Sequence, residues 1–304
     1  MDEVLRDFPE FPRFRNLHMG DRPAFDELFS RFPPVISEYT FTNLFMWRHT
    51  YRTKVARLQN TLCLLSDHEE APFFFPVIGE GDMIECYRTL LQWLEAGGRG
   101  SRICRIPETV ATQVDWESGG MRAEPDRDQS DYVYLTQNLI RLEGRRYHRK
   151  RNHIKQFREK YSFEYIPLTP DWIPECLRLE REWCNVRNCE GVPGLANEST
   201  AIKEFLAHFG ELKVLGGAIL IEGRVEAFTF GESLNPQTVV IHIEKANPLF
   251  DGLYPIINQA FLANHWPGYE YVNREQDLGQ EGLRKAKESY FPDHMVDKYM
   301  VRLK

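Results

Sequence analysis

The sequence predicts a mixed α/β fold, an α+β arrangement with mixed sheets, laid out in two halves. Hydrophobic residues make up 42% and aromatics 13% of 304 residues, enough for two cores of ordinary domain size. Short alternating apolar runs interleave with longer stretches of helical period along the whole chain. The second half orders its elements as strand, helix, helix, three strands, helix, strand, helix, strand, and the first half repeats that order more loosely.

The first half opens with a strand over 13–18. Asp21 caps a helix from Arg22 to about Arg31, and Ser37 caps a second, to about Tyr51. Residues 53–57, 61–66 and 73–77 suit strands, 82–95 is an amphipathic helix, and 103–106 and 132–135 are further strands. Residues 119–130 are polar and turn-rich and suit a surface loop.

In the second half, 163–167 alternates as a strand. Pro170-Asp171 opens a helix to about Arg187, and Ser199 caps another to about Phe209 after a loop at 188–194. Strands at 213–221, 224–233 and 238–246 are joined by Glu222-Gly223 and Asn235-Pro236, turns short enough to make an antiparallel meander. Gly216-Gly217, inside the first of them, suits a bulge. A helix at 253–265, a strand at 269–273, a helix at 281–290 with Leu283, Ala286 and Tyr290 inward, and a last strand at 295–302 complete the half. Met19-Gly-Asp-Arg-Pro23 parallels Leu168-Thr-Pro-Asp-Trp172, each between a first strand and a first helix, so a tandem duplication is expected. The boundaries are an N-terminal domain over 1–140, a basic junction helix over 141–161 and a C-terminal domain over 162–304.

Several function classes are excluded. No apolar run approaches the ~18 residues that span a bilayer. Met1-Asp2-Glu3 is acidic and lacks an apolar signal core, so a cytoplasmic location is expected. The six cysteines form no C-x-x-C pair and no His lies among Cys176, Cys184 and Cys189, so buried or idle thiols are expected there, and no metal site. No Ser-His-Asp order, Walker loop or G-x-G-x-x-G run appears.

Charge marks the first candidate site. The net charge is −7, yet 141–160 holds nine Lys and Arg against Glu143 and Glu159. One concentrated basic segment can hold an anion without general attraction to nucleic acid. Its helical spacing puts Tyr147, Ile154, Phe157 and Tyr161 on one face. Lys150 falls inside that apolar stripe, where a solvated charge would not be placed, so it meets an anion or snorkels past Tyr147.

Three more candidates follow. Asn247-Pro-Leu-Phe-Asp-Gly-Leu-Tyr-Pro255 runs from a strand through Gly252 into a helix N-terminus, a place with free N–H groups. Tyr254 and Asn258 lie one turn apart on that helix. Asn273-Arg-Glu-Gln-Asp277 leaves the end of a core strand, the rim where open α/β sheets bind ligands. There Glu275 and Asp277 suit proton transfer or amine orientation, and Arg274 suits a carboxylate or phosphate. The following helix adds Lys287 and Tyr290. In the meander, His242 and Glu244 share one face, and Glu244 suits removal of a proton from an attacking amine.

The order of elements resembles the GNAT superfamily of N-acetyltransferases. A closer resemblance rests on Leu142-x-Gly144-x-x-Tyr147-x-x-Lys150-Arg-Asn152-x-Ile154-x-x-Phe157, on Gly252-x-Tyr254-x-x-Ile257-Asn258, and on Asn273-Arg-Glu-Gln-Asp-Leu-Gly279-x-Glu-Gly282-Leu-Arg-Lys-Ala-Lys287-x-Ser-Tyr290. These are similar to an uncharacterised bacterial family grouped with the C-terminal domain of phosphatidylglycerol lysyltransferase and, more distantly, with Fem-type peptidoglycan aminoacyltransferases. The resemblance covers nearly the whole chain. It implies tandem acyl-CoA N-acyltransferase-like (GNAT-like) domains and aminoacyl-tRNA as donor. It also implies that a basic helix near the domain junction receives the donor RNA, with Lys150, Arg151 and Asn152 at the corresponding place. The chain departs from the lysyltransferase in having no membrane-spanning region, and from some Fem enzymes in lacking a helical-hairpin insertion. It also departs from the glycine-rich coenzyme A loop, since Gly252 stands among Leu249, Phe250 and Leu253.

The expected activity is transfer of an acyl or aminoacyl group to the amine or hydroxyl of a small-molecule acceptor, in a cleft between the halves. Glu275, Asp277 and Glu244 would carry catalysis. Lys150, Arg151, Asn152, Gly252, Tyr254, Asn258, Asn273, Arg274, Lys287 and Tyr290 would hold the donor. No resident cofactor is required; tRNA is the expected partner, and acyl-CoA the alternative donor. A non-catalytic GNAT-like binder of RNA, nucleotide or a small anion, and an acyl-CoA-dependent N-acetyltransferase with an atypical phosphate loop, are the competing readings.

Overall fold

Alternation and turn chemistry should lay down sheets first and helices on them, and the computed structural model follows that rule. It describes residues 3–68 and 71–304, so Met1 and Asp2 of the acidic N-terminus lie outside the described residues. The chain divides into two units. One gathers Met1–Asp131, Gln276–Glu281 and Met295–Lys304, and the other Tyr132–Glu275 and Gly282–His294.

The chain first lays down β1 (Arg15–Asn16), α1 (Arg22–Arg31), α2 (Phe41–Met46), α3 (Arg48–Tyr51), β2 (Lys54–Leu58), β3 (Thr61–Ser66), β4 (Phe73–Phe74), β5 (Ile78–Gly79), α4 (Met83–Ala96), β6 (Ile103–Pro107), α5 (Glu108–Ala111) and β7 (Met121–Pro125). Next come β8 (Asp131–Leu135), α6 (Thr136–Arg141), α7 (His148–Lys160), β9 (Phe163–Pro167), α8 (Ile173–Arg187), α9 (Pro193–Ala207) and α10 (Phe209–Leu212). The meander β10 (Leu215–Ile221), β11 (Arg224–Asn235) and β12 (Thr238–Ala246) follows, then α11 (Leu253–His265), β13 (Tyr271–Asn273), α12 (Glu281–Glu288), β14 (His294–Val296) and β15 (Lys298–Leu303).

Two sheets result. The first runs β1-β2-β3-β4-β6-β15-β7, with β5 also on β3, and the second β14-β8-β13-β12-β11-β10-β9. β4–β6 and β12–β13 are parallel pairs among antiparallel neighbours, so both sheets are mixed, as expected. In the first unit, Asp82 accepts from Glu85 N at 3.0 Å and starts α4. That helix buries Cys86, Tyr87, Leu90, Leu91 and Leu94, at helical spacing, against Ile103, Met121 and Val301 of the sheet.

Several expectations are corrected. Thr40, not Ser37, caps the second helix, accepting from Asn43 N; the Ser37 hydroxyl donates to Asp131 at 2.9 Å instead. The segment at 119–130 contains β7, whose Met121-Arg-Ala-Glu-Pro125 hides a strand because an edge strand tolerates charge and proline. The bulge falls between Ile219 and Leu220, not at Gly216-Gly217. Gly217 is needed for closeness: a Cβ there would lie 2.3 Å from the Tyr165 hydroxyl oxygen. Leu283 is exposed rather than inward. Cys184 and Cys189 form a disulfide rather than idle thiols. Asn188, in the left-handed region at φ 53°, turns the chain after α8 and leaves the two Cα atoms 4.9 Å apart. The last strand, expected in the second half's sheet, lies between β6 and β7 in the first unit.

A buried network explains that last placement. Lys298 of β15 is fully buried and donates from Nζ to Glu38 and Asp131, both at 2.7 Å. Asp131 also accepts from Ser37 N at 2.8 Å, and Arg105 approaches Glu38 at 3.3 Å. Breaking such a network leaves uncompensated buried charge, at a cost of about 3–5 kcal/mol. Lys298→Met is therefore expected to lose about that much stability in urea unfolding of the full chain. A loss under about 1 kcal/mol would mean that β15 is held by its ladder alone.

Candidate functional site

β12 and β13 pair only where Thr238, Val239 and Val240 face Tyr271, Val272 and Asn273. β13 ends there, while β12 continues to Ala246. The chain leaving β13 keeps its backbone bonds to β8, Arg274 N donating to the Tyr132 carbonyl at 2.9 Å and the Glu275 carbonyl accepting from Tyr132 N at 3.2 Å, while the Arg274 side chain reaches β12. Arg274 donates from Nη2 to Glu244 Oε1 at 3.0 Å. Asn258 of α11 donates to the other Glu244 oxygen at 2.9 Å. The two charged side chains are 14% and 12% exposed, so their attraction is little screened. The Arg274 Nη1 is buried with no hydrogen-bond partner among the described residues.

Lys150 joins the same unit's cluster from α7. Its Nζ lies 3.7 Å from the centre of the Tyr290 ring, and the Arg274 guanidinium lies 4.8 Å from that ring. No carboxylate stands within ion-pair distance of Lys150 among the described residues. Burial, then the charges of Arg274 and Arg149, bring its pKa down to about 8, against an opposing pull from Glu244. Burial holds the Tyr290 hydroxyl well above its ordinary range, with Arg274 pulling the other way. The cluster therefore contains a partly neutral amine, a guanidinium with a spare donor and a fixed carboxylate.

The rest of the rim supports this cluster. Asn273 accepts from Glu275 N at 2.8 Å, a tight turn in which Glu275 takes a φ of 59°. Lys287 of α12 donates to the carbonyls of Arg274 and Glu275. Glu275 accepts from His242 Nδ1 at 2.9 Å, and Glu232 accepts from its Nε2 at 2.9 Å. Burial alone would lower the His242 pKa, but the two carboxylates outweigh it and raise it to about 9. Asp277 belongs to the first unit, where it is fully buried and 3.3 Å from Arg127.

The structure brings together Lys150, Glu244, Asn258, Arg274 and Tyr290, and gives other partners to the remaining predicted residues. Arg151 donates to the carbonyls of Leu142 and Gly144 and so holds the turn before α7. Asn152 is exposed, 3.5 Å from the His148 ring. At Gly252, φ is 89° and a Cβ would lie 2.6 Å from the His153 carbonyl oxygen, so this glycine lets α7 approach. Tyr254 accepts from Trp183 Nε1 at 3.2 Å. Sequence reasoning missed the cluster beyond it. Lys245 Nζ stands 3.4 Å from the Trp183 ring centre and 2.8 Å from Glu198, beside the buried Glu180. Alternation placed Lys245 opposite Glu244, but no spacing linked it to residues of α8 and α9.

The His242 clamp gives a pH dependence of definite sign. A group raised from 6.5 to about 9 on folding contributes stability that is complete below about 6.5 and is lost as pH rises through about 9. His242→Gln is expected to be destabilised at pH 6 and to approach the parent protein above pH 9, as followed by chemical unfolding across that range. A pH-independent difference would show that His242 is buried neutral.

Comparison with known proteins places the fold and the family. A conserved protein of unknown function from Bacteroides thetaiotaomicron is 36% identical, over 96% of this chain and 99% of that one, with a TM-score of 0.88. L-PGS from Bacillus licheniformis is 12% identical, with a TM-score of 0.64 over 98% of this chain and 94% of that one. A tandem GNAT protein from the clavulanic acid biosynthesis pathway is 10% identical, with a TM-score of 0.50 over 96% and 98%. The last two share the fold alone, and that fold is the tandem GNAT-like one. An uncharacterised protein of Mycoplasmoides gallisepticum is 21% identical over 202 residues, 65% of this chain and 64% of that protein, so the chain spans just under two thirds of this relative. No helix of the described residues is long and apolar enough to cross a membrane. Family and fold together support a transferase as the class of protein. The profile of the family described as phosphatidylglycerol lysyltransferase, C-terminal, matches residues 29–302, and the chain belongs to that family.

Proposed function

We propose that this chain transfers an aminoacyl or other acyl group from a phosphate-bearing donor, aminoacyl-tRNA in the first instance, to the amine or hydroxyl of a small acceptor. The observation that carries the reading is the Glu244–Arg274–Tyr290–Lys150 cluster, where a lysine without an anionic partner stands beside a guanidinium with a spare donor. Exposed Arg145, Arg146, Arg149, Lys155 and Arg158, on and just before α7, supply a phosphate-binding face next to Lys150.

The chemistry requires three things of these residues. The acceptor nitrogen or oxygen attacks the carbonyl carbon of the donor ester; the new bond forms as the donor's C–O bond breaks. Arg274 Nη1 stabilises the oxyanion that develops on that carbonyl. Lys150, in its neutral form, takes the proton from the attacking group and returns it to the leaving oxygen. Glu244 fixes Arg274 and is held in turn by Asn258, so its role is positioning. Glu275, paired with the His242 ring, keeps the rim in place and stands away from proton transfer. Gly252 is occupied by the approach of α7, which favours a tRNA donor over coenzyme A.

The test is transfer of labelled amino acid from a charged tRNA pool to small amines and alcohols, with donor binding measured separately. The parent rate is expected to rise with pH through about 8, the value set for Lys150 by burial and neighbouring cations. Lys150→Met and Arg274→Gln should each lower transfer by about 10²-fold or more. Lys150 also binds its proton less well folded than unfolded. Stability is therefore reduced below pH 8 and recovers as pH rises towards the ordinary lysine value. Lys150→Met should accordingly melt higher than the parent at pH 7. Donor binding without turnover in the parent would sink the catalytic reading.

A further inference from the structure

The first unit carries a row of arginines that the transfer chemistry does not use. In the β15–β7 ladder Arg302 stands directly opposite Arg122. In the β15–β6 ladder Val301 stands opposite Ile103, which sets Arg302 opposite Arg102, the residue just before β6. Val301, Ile103 and Met121 point into the core, so by alternation all three arginines point to the other face. Like charges directly opposite one another destabilise a sheet, and here they occupy three consecutive strands. Acids answer only part of this charge. Arg122 pairs with Glu124 at 3.3 Å, whereas Arg102 and Arg302 have no carboxylate within ion-pair distance among the described residues.

These three arginines, with Arg99 and Ser101, line a groove of about 900 Å³ at one end of the sheet. Arg99 is already engaged by Asp67. Arg302 Nε and Ser101 Oγ are buried with no hydrogen-bond partner among the described residues. Buried donors without partners are uncommon in native proteins and call for a ligand or water. The guanidinium fork suits phosphate oxygens better than a point charge does. The groove has the size of a small-molecule site.

We infer that the Arg102–Arg302–Arg122 row binds a small molecule bearing a terminal phosphate or diphosphate, with Ser101 Oγ as a further donor. A nucleic-acid backbone fits less well. The first unit holds 25 Asp and Glu against 18 Lys and Arg, a formal −7, so its overall field repels a long polyanion. Local arginines within an acidic unit select a compact anion that reaches only the groove.

The test uses the full chain with sodium pyrophosphate, against sodium chloride at matched ionic strength, followed by calorimetric titration and thermal melting. Pyrophosphate is expected to bind saturably at the row and raise the melting temperature. Arg302→Gln and Arg102→Gln should weaken binding at least tenfold, and Arg302→Lys should weaken it less. Without ligand, Arg302→Gln should melt as high as the parent or about 2 °C higher, because cross-strand repulsion is relieved. Lys203→Gln, at an exposed position of α9 in the other unit, should bind pyrophosphate as the parent does. The inference fails if sodium chloride reproduces the shift. It fails if Arg302→Gln and Arg102→Gln both leave pyrophosphate binding unchanged. It also fails if a short RNA binds the row more tightly than pyrophosphate does.

Discussion

The ion pair between Glu244 and Arg274 forms where two parallel strands stop pairing, and the second unit's site depends on it. Where β13 ends, β12 loses a neighbour, and apolar side chains alone would leave polar backbone without partners. The Arg274 guanidinium, a rigid planar fork, takes up that position and donates to Glu244. It needs a carboxylate, since an unpaired charge at this depth would be prohibitive. Glu244 supplies it from the surviving strand, and Asn258 satisfies the other Glu244 oxygen. The rim is then fastened at each following residue. Asn273 fixes the turn, Lys287 holds two carbonyls, and His242 clamps Glu275. A polar run that looked like one catalytic loop divides into one position paired with the Glu244 carboxylate and several that hold it.

That division marks how far the sequence could be read. Periodicity located the meander and the helix after Gly252, because turn residues and apolar spacing are local signals. Alternation put His242 and Glu244 on one face. It could not say that Glu232 would close the other side of the His242 ring, since that contact crosses between strands whose register includes a bulge. The pattern of β15 announced a strand but not its sheet; the partners of Lys298 come from positions far away in sequence. β7 was hidden by its charges. The Cys184–Cys189 pair was hidden by the absence of any spacing rule for a bridge across a helix end. At Gly252 the close approach that the missing side chain permits is to α7.

The two buried lysines show why composition alone cannot assign function. Lys298 and Lys150 both leave water for protein, and each pays a desolvation cost. Lys298 recovers it from two carboxylates at 2.7 Å, in an arrangement complete within the protein. Lys150 has the face of Tyr290 and the like charge of Arg274, and only partial compensation from Glu244. The first arrangement resists change in protonation and ties a strand to its sheet. The second brings the neutral amine within reach near physiological pH. An uncompensated cation is a cost that folding by itself would remove, for instance by a methionine of similar length. Its presence beside an arginine whose Nη1 has no partner among the described residues is therefore the strongest physical support for the proposal of transfer at this cluster, more so than at the fully paired Asp277 or Glu275.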